Sequence, residues 1–209
     1  FIPILVFESA FSVDTHVFRK IFWQIFTLAW PGVVIASIMT ATFVKYAFVR
    51  YDWGWPVSLM IGAIMSATDP VAVVSLLKEL GVSERLGTLI EGESLLNDGT
   101  AIVVFDVFFE AVEHEPCSPQ MPGAGEVFIS LARLGALGPV VGCLVGFVCT
   151  SMLGFVLNDP FNEIAITIIA CFGSFGVAEG LVSTSGELSV VCCGLWMSRY
   201  GRGRISADV

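Results

Sequence analysis

The sequence predicts an all-α protein, a polytopic transmembrane helical bundle, and three observations carry that reading. Hydrophobic residues make up 56% of the 209 residues and charged residues only 14%, against about 25% charged in an ordinary soluble domain. Mean hydropathy is +0.85. Apolar runs near the ~20 residues that cross a bilayer recur along the chain, separated by turns rich in Pro, Gly and acids. With 10 Lys+Arg against 19 Asp+Glu the net charge is −9, which leaves no basic face for phosphates and excludes nucleic acid as a partner. The same composition excludes a disordered chain and a typical secreted domain.

The elements follow in order. Residues 1–11 (FIPILVFESAF) read as the tail of a span, so the chain is expected to be part of a longer protein. Residues 21–44 contain no charge and form the clearest early span. Residues 53–77 carry one charge, Asp69, near their middle. Residues 88–111 form a third span interrupted by Glu91, Glu93, Asp98, Asp106 and Glu110. Residues 134–158 are again free of charge, with a helix expected to start near Val127. Residues 164–182 carry Glu179, and residues 188–198 make a short sixth span. No soluble domain is visible between them.

The connections carry their own signals. Asp52-Trp53-Gly54-Trp55-Pro56 is a turn with aromatics at interface depth. Residues 113–125 form a polar, proline-rich loop. Asp159 reads as an N-cap before a first-turn Pro160, and Ser83 as a cap leading toward Thr88. Six crossings put both ends of the chain on one side. Arg19, Lys20, Lys78, Arg85, Arg199, Arg202 and Arg204 fall on that side, against Lys45, Arg50 and Arg133 on the other. The first side is therefore cytoplasmic. The six cysteines contain no CxxC pair, and His16 and His114 stand apart from them, so the thiols read as packing groups rather than metal ligands.

Function is expected where ionisable groups sit at membrane depth, since each costs roughly 2.5–3.5 kcal/mol there on insertion scales. Glu8, Asp69, Glu93 and Asp98 are so placed. Ser66-Ala67-Thr68-Asp69-Pro70 lies within the second span. Pro70 lacks an amide proton and clashes with the preceding turn, so the helix should kink or open and free the Thr68 carbonyl. The alternative is a plain kink with Asp69 capping the second half-helix. In residues 91–99 (EGESLLNDG), Ser94 and Asp98 share one helical face, and Glu93 and Asn97 the next. Carboxylate, hydroxyl and carboxamide can thus converge near mid-membrane, a hard-oxygen set suited to Na+ and able to take up a proton. Glu91 reads as a helix-start acid. Asp106 and Glu110 read as cavity-mouth or solvated groups, Glu163 as a structural first-turn acid, and Glu179 as cavity-lining or interfacial.

These residues carry a resemblance. Residues 66–105, SATDPVAVVSLLKELGVSERLGTLIEGESLLNDGTAIVVF, with FIPILVFESAF upstream, resemble the monovalent cation:proton antiporters of the Na+/H+ exchanger family. The likeness is nearest to plant plasma-membrane salt-tolerance antiporters and to sperm-type exchangers. It implies an antiporter-like fold with a broken crossing helix, of which residues 1–209 supply part of one membrane domain: about six full helices, the end of another and an incomplete inverted repeat. It implies that Asp98 binds cation and proton in competition, with Asn97 as its paired amide. Ser94 and the Thr68 carbonyl would be further ligands, so that Na+ sits at Asp98, Ser94 and Thr68. Asp69 and Pro70 would support the crossing, Glu93 would be a structural partner of an arginine outside residues 1–209, and Glu8 would lie near the ion pathway. The implied activity is exchange of Na+, or K+ or Li+, for H+, electroneutral by its Asn-Asp pair, without a cofactor. The implied setting is a plasma-membrane homodimer in a lipid bilayer.

Two other classes were weighed. An intramembrane aspartyl protease needs two aspartates, but its Gly-x-Gly-Asp sequence is absent and Asn97 would serve no purpose in hydrolysis, so an enzyme is not expected. A non-transporting sensor or scaffold on the exchanger fold is the alternative, opposed by the intact Asn97-Asp98 and Thr68-Asp69-Pro70.

Overall fold

The computed structural model describes residues 2–51, 53–68, 70–114, 123–156 and 160–201. Within them the regular structure is helical throughout: α1 (Ile2–Ser12), α2 (Thr15–Ala47), a 3-10 turn (Val49–Tyr51), α3 (Trp55–Ser66), α4 (Val71–Glu79), α5 (Glu84–His114), α6 (Ala124–Leu153), α7 (Pro160–Gly180) and α8 (Gly186–Tyr200). Among the described residues three helices are long and apolar enough to cross a membrane, at Thr15–Ala47, Gly125–Leu153 and Pro160–Gly180. At 1.5 Å per residue the 31-residue α5 is about 46 Å long, ample for a crossing. The 15-residue α8 reaches only about 22 Å, short of the ~30 Å hydrocarbon core.

Helix starts follow local chemistry. Asp14 opens α2, its Oδ1 accepting from the backbone N–H of His16 at 2.8 Å and Val17 at 3.3 Å. Trp55 and Pro56 open α3, where the missing amide proton of proline costs nothing. Ser83 precedes α5, as the sequence indicated, and its carbonyl accepts from the Leu86 N–H at 2.9 Å. Glu126 accepts from the Gly123 N–H at 3.0 Å, so α6 starts three residues ahead of Val127. Asp159 lies outside the described residues.

The helices pack as two groups. In one, α2, α3 and α5 share a core of Ala41, Leu59, Ala63, Val104 and Phe108. In the other, α1, α6, α7 and α8 close over Phe7, Cys149, Leu153, Ala170, Val190 and Met197. A third core, including Ala10, Ile21, Leu95, Val103 and Leu188, joins the groups along α1, α2, α5 and α8. Each group contains a close backbone-to-backbone approach that needs glycine. A Cβ on Gly62 of α3 would strike the Ser37 carbonyl oxygen of α2, and one on Gly142 of α6 would strike that of Ser189 on α8. Neither oxygen can move without its helix. The outward faces are apolar, with Met39, Phe43, Phe147 and Ile169 all exposed. Such faces suit lipid contact.

Candidate functional site

The second span is broken. Helix α3 stops at Ser66, Ala67 is extended (φ −68°, ψ 125°), and α4 resumes at Val71. Pro70 starts the second piece, its carbonyl accepting from the Val74 N–H at 2.9 Å. The end of α3 is pinned: Ser66 Oγ donates to the Ala63 carbonyl at 2.8 Å and pairs with Ser37 Oγ of α2 at 2.9 Å. Irregular backbone at membrane depth persists only where it is buried in protein or lines a cavity.

Helix α5 supplies the groups that meet this break. The Asn97 amide Nδ2 donates to Thr68 Oγ1 at 3.0 Å, and Ser94 Oγ donates to the Thr68 carbonyl at 3.3 Å. A residue freed from helical pairing is thus held by two side chains one turn apart. Asn97 is 2% exposed, and its Oδ1 is buried without a hydrogen-bond partner among the described residues. A buried acceptor left unpaired is costly, and a bound cation or donor would remove that cost. Leu95, Leu96 and Gly92 face the joining core, Gly92 against Phe18 and Ile25 of α2, and this fixes the rotation of α5.

Asp98, next after Asn97 in the helix, faces two cavities that both reach the break. One, about 350 Å³, runs between α1, α4 and α5 and is lined in part by Ser9, Ser12, Pro70, Ser75 and Ser94. The other, about 370 Å³, lies between α1, α3, α5 and α8 and is lined in part by Val6, Ala67, Phe105 and Glu187. Glu93 and Asn97 line a third cavity of about 360 Å³ with Ser66 and Thr68. Neighbours in sequence point about 100° apart around α5, Asp98 toward α1, α8 and the Ala67 and Pro70 edge of the break, Asn97 toward Thr68 and α2.

Of the residues singled out in the sequence, Thr68, Ser94 and Asn97 are joined by hydrogen bonds, and Pro70 and Ser94 share the first cavity with Asp98. Asp69 lies outside the described residues. Glu8 is not brought to the set: it is exposed on α1 and lines a separate, apolar cavity with Thr167, Cys171 and Phe172 of α7. The face of α1 that reaches the Asp98 cavities carries Leu5, Val6, Ser9, Ser12 and Val13. Asp106 is half-buried and Glu110 exposed farther along α5. Glu163 is buried in the first turn of α7, and Glu179 is exposed in its last.

Sequence reasoning missed Glu187. It sits in the first turn of α8, 8% exposed, and faces the same cavity as Asp98. The signal was an acid just ahead of a short apolar segment, after Ser185-Gly186.

Carbonyl, hydroxyl, carboxamide and carboxylate oxygens are hard donors, suited to an alkali cation, and a carboxylate also takes up a proton. A broken helix meeting such groups near the midplane is a recurrent way for a transporter to build an ion site.

Comparison with known proteins points the same way. The family described as sodium/hydrogen exchanger, transmembrane, matches residues 1–209. Sodium/hydrogen exchanger 7 of Arabidopsis thaliana is 40% identical over 100% of this chain, which covers 18% of that protein. The Na+/H+ antiporter ApNhaP of Aphanothece halophytica is 34% identical over 96% of the chain, covering 37% of its length. The Na+/H+ antiporter NhaP of Pseudomonas aeruginosa is 33% identical over 100% of the chain, covering 48% of its length. The chain thus spans less than half the length of each of these relatives. With the family pattern matched from end to end, on an all-helical bundle with apolar outer faces, this chain belongs to the sodium/hydrogen exchanger family, whose members are integral membrane transporters and not enzymes.

Proposed function

We propose that the intact protein exchanges Na+ for H+ across a membrane, with Asp98 holding either ion in turn. The observation that carries this reading is the placement of Asp98. It adjoins a helix break whose Thr68 is held by Ser94 and Asn97, and it faces two separate cavities. Asp98, Ser94 and the Thr68 carbonyl form the cation site, and Asn97, Asp69 and Pro70 support it. The side chains and backbone supply every ligand, so the exchange uses no cofactor.

One carboxylate cannot hold a proton and a bare cation together, so binding of one expels the other. The cavities lie along the seam between the two helix groups. Rocking of one group against the other would open them alternately. The Asn-Asp pair supports electroneutral exchange, and K+ or Li+ could use the same oxygens. A plasma-membrane homodimer is the assembly the resemblance favours.

The test is Asp98→Asn in the intact protein, reconstituted in vesicles carrying a pH-sensitive dye. Cation-driven dequenching is expected to fall about 100-fold or more. Exchange at an undiminished rate would remove Asp98 from this role.

A further inference from the structure

The seam holds a second carboxylate that the exchange scheme above leaves unused. Glu187 stands at the start of α8, and α8 is too short to reach both faces of a bilayer. Contacts fix where its start lies. A Cβ on Gly99 of α5 would meet the Leu188 side chain, and one on Gly138 of α6 would meet the Ser185 carbonyl at 2.9 Å. Thr184 Oγ1 donates to the Leu134 carbonyl at 3.1 Å, some ten residues into α6. The first turn of α8 is therefore level with Asp98-Gly99, deep in the bundle. At the other end, Ser198 Oγ donates to the Val13 carbonyl at 3.3 Å, which sets α8 alongside α1.

The surroundings of Glu187 are unusual for an acid. It is more than nine-tenths buried and lines the second cavity, whose other lining residues are apolar except for Asp98. Asp98 lines the same cavity, and the charged groups near enough to act on Glu187 are Asp98 and Asp106 of α5 and Glu179 of α7, all acids. Among the described residues neither a hydrogen-bond donor nor a basic side chain reaches its carboxylate. Glu179 also packs on Gly186, next in the chain. An acid in a helix first turn favours its own helix dipole, but that role does not call for burial in a cavity shared with a second acid. A buried anion without a partner is unstable until a cation or proton joins it.

We propose that Glu187 is a second binding station for the transported monovalent cation, on the side of Asp98 toward the C-terminal end of α5. The inference rests on the exchange reading above and adds a waypoint to it. A cation leaving water passes Asp106 and Glu179, is held in the apolar cavity by Glu187, and moves from there to Asp98. Glu187 contributes to capture from that side, outer by the Lys and Arg tally, and not from the opposite side, where Ser9, Ser12 and Ser75 line the way.

The experiment compares the wild type, Glu187→Gln, Glu187→Asp and Asp98→Asn as intact protein in vesicles of known orientation, with Na+ offered from each side. Glu187→Gln is expected to raise the apparent KM for Na+ from the outer side about tenfold, with maximal rate and inner-side KM changed by less than about twofold. Glu187→Asp is expected to fall between wild type and Gln. If Glu187→Gln does not reach the membrane, Glu187→Asp decides, and an outer KM equal to wild type overturns the proposal. An unchanged outer KM in Glu187→Gln overturns it, as does an equal fall in rate from both sides, the mark of a structural role or of a basic partner elsewhere in the protein. Loss of exchange in Asp98→Asn alongside either result leaves the exchange reading standing. Retained exchange in Asp98→Asn brings down both.

Discussion

Pro31, Pro70 and Pro139 each fall well inside an apolar stretch, and they have different consequences. Pro31 lies inside the unbroken α2 and Pro139 inside the unbroken α6. Pro70 lies between α3, which ends at Ser66, and α4, which starts at Val71. Each proline removes one backbone donor and crowds the preceding turn, so the difference comes from what surrounds it. Around Pro139, Thr184 donates to the Leu134 carbonyl and Gly138 and Gly142 seat against α8, so α6 keeps its course. Around Pro70, Ser94 and Asn97 of α5 offer a hydroxyl and an amide to Thr68. A proline permits a break; polar groups on a facing helix make the broken state stable.

That contrast can be attacked at each point. The largest effect is expected from Pro70→Ala. It restores an amide proton and lets α3 and α4 join into one helix, lowering vesicle exchange about tenfold. Thr68→Val comes next. It removes the hydroxyl that accepts from Asn97 and strands a buried amide, at a cost of about 1–3 kcal/mol. A lower melting temperature in detergent and a several-fold higher KM for Na+ would report it. The smallest effect is expected from Pro31→Ala, which alters a helix that already runs straight through. Exchange rates should stay within about twofold of wild type. A loss equal to that of Pro70→Ala would erase the distinction between the two sites.

Much of this was legible in the sequence. A proline after Thr-Asp inside an apolar run announced the opening, and the spacing of Ser94 and Asp98 placed them on one face of α5. The side toward which each face turns was not legible. Glu8 looked like a pathway acid, yet the rotation of α1 gives the Asp98 cavities Val6 and Ser9 and turns Glu8 toward α7. Nothing in the sequence marked Glu187 as deep, because depth is a tertiary property. The seating of Leu188 on Gly99 and the cavity shared with Asp98 show that α8 begins beside Asp98. Composition gave the class of molecule and periodicity gave the faces, while the packing of glycines and leucines decided which acids meet.

The central claim is that one carboxylate serves cation and proton by turns. It is tested most directly by measuring Na+ uptake into vesicles as a function of Na+ concentration at several values of pH on the uptake side. The account predicts competition: raising the proton concentration tenfold raises the apparent KM for Na+, and the maximal rate reached at saturating Na+ is unchanged. A maximal rate that falls with added protons while KM stays fixed would mean that the two ions bind at separate places, and would contradict it.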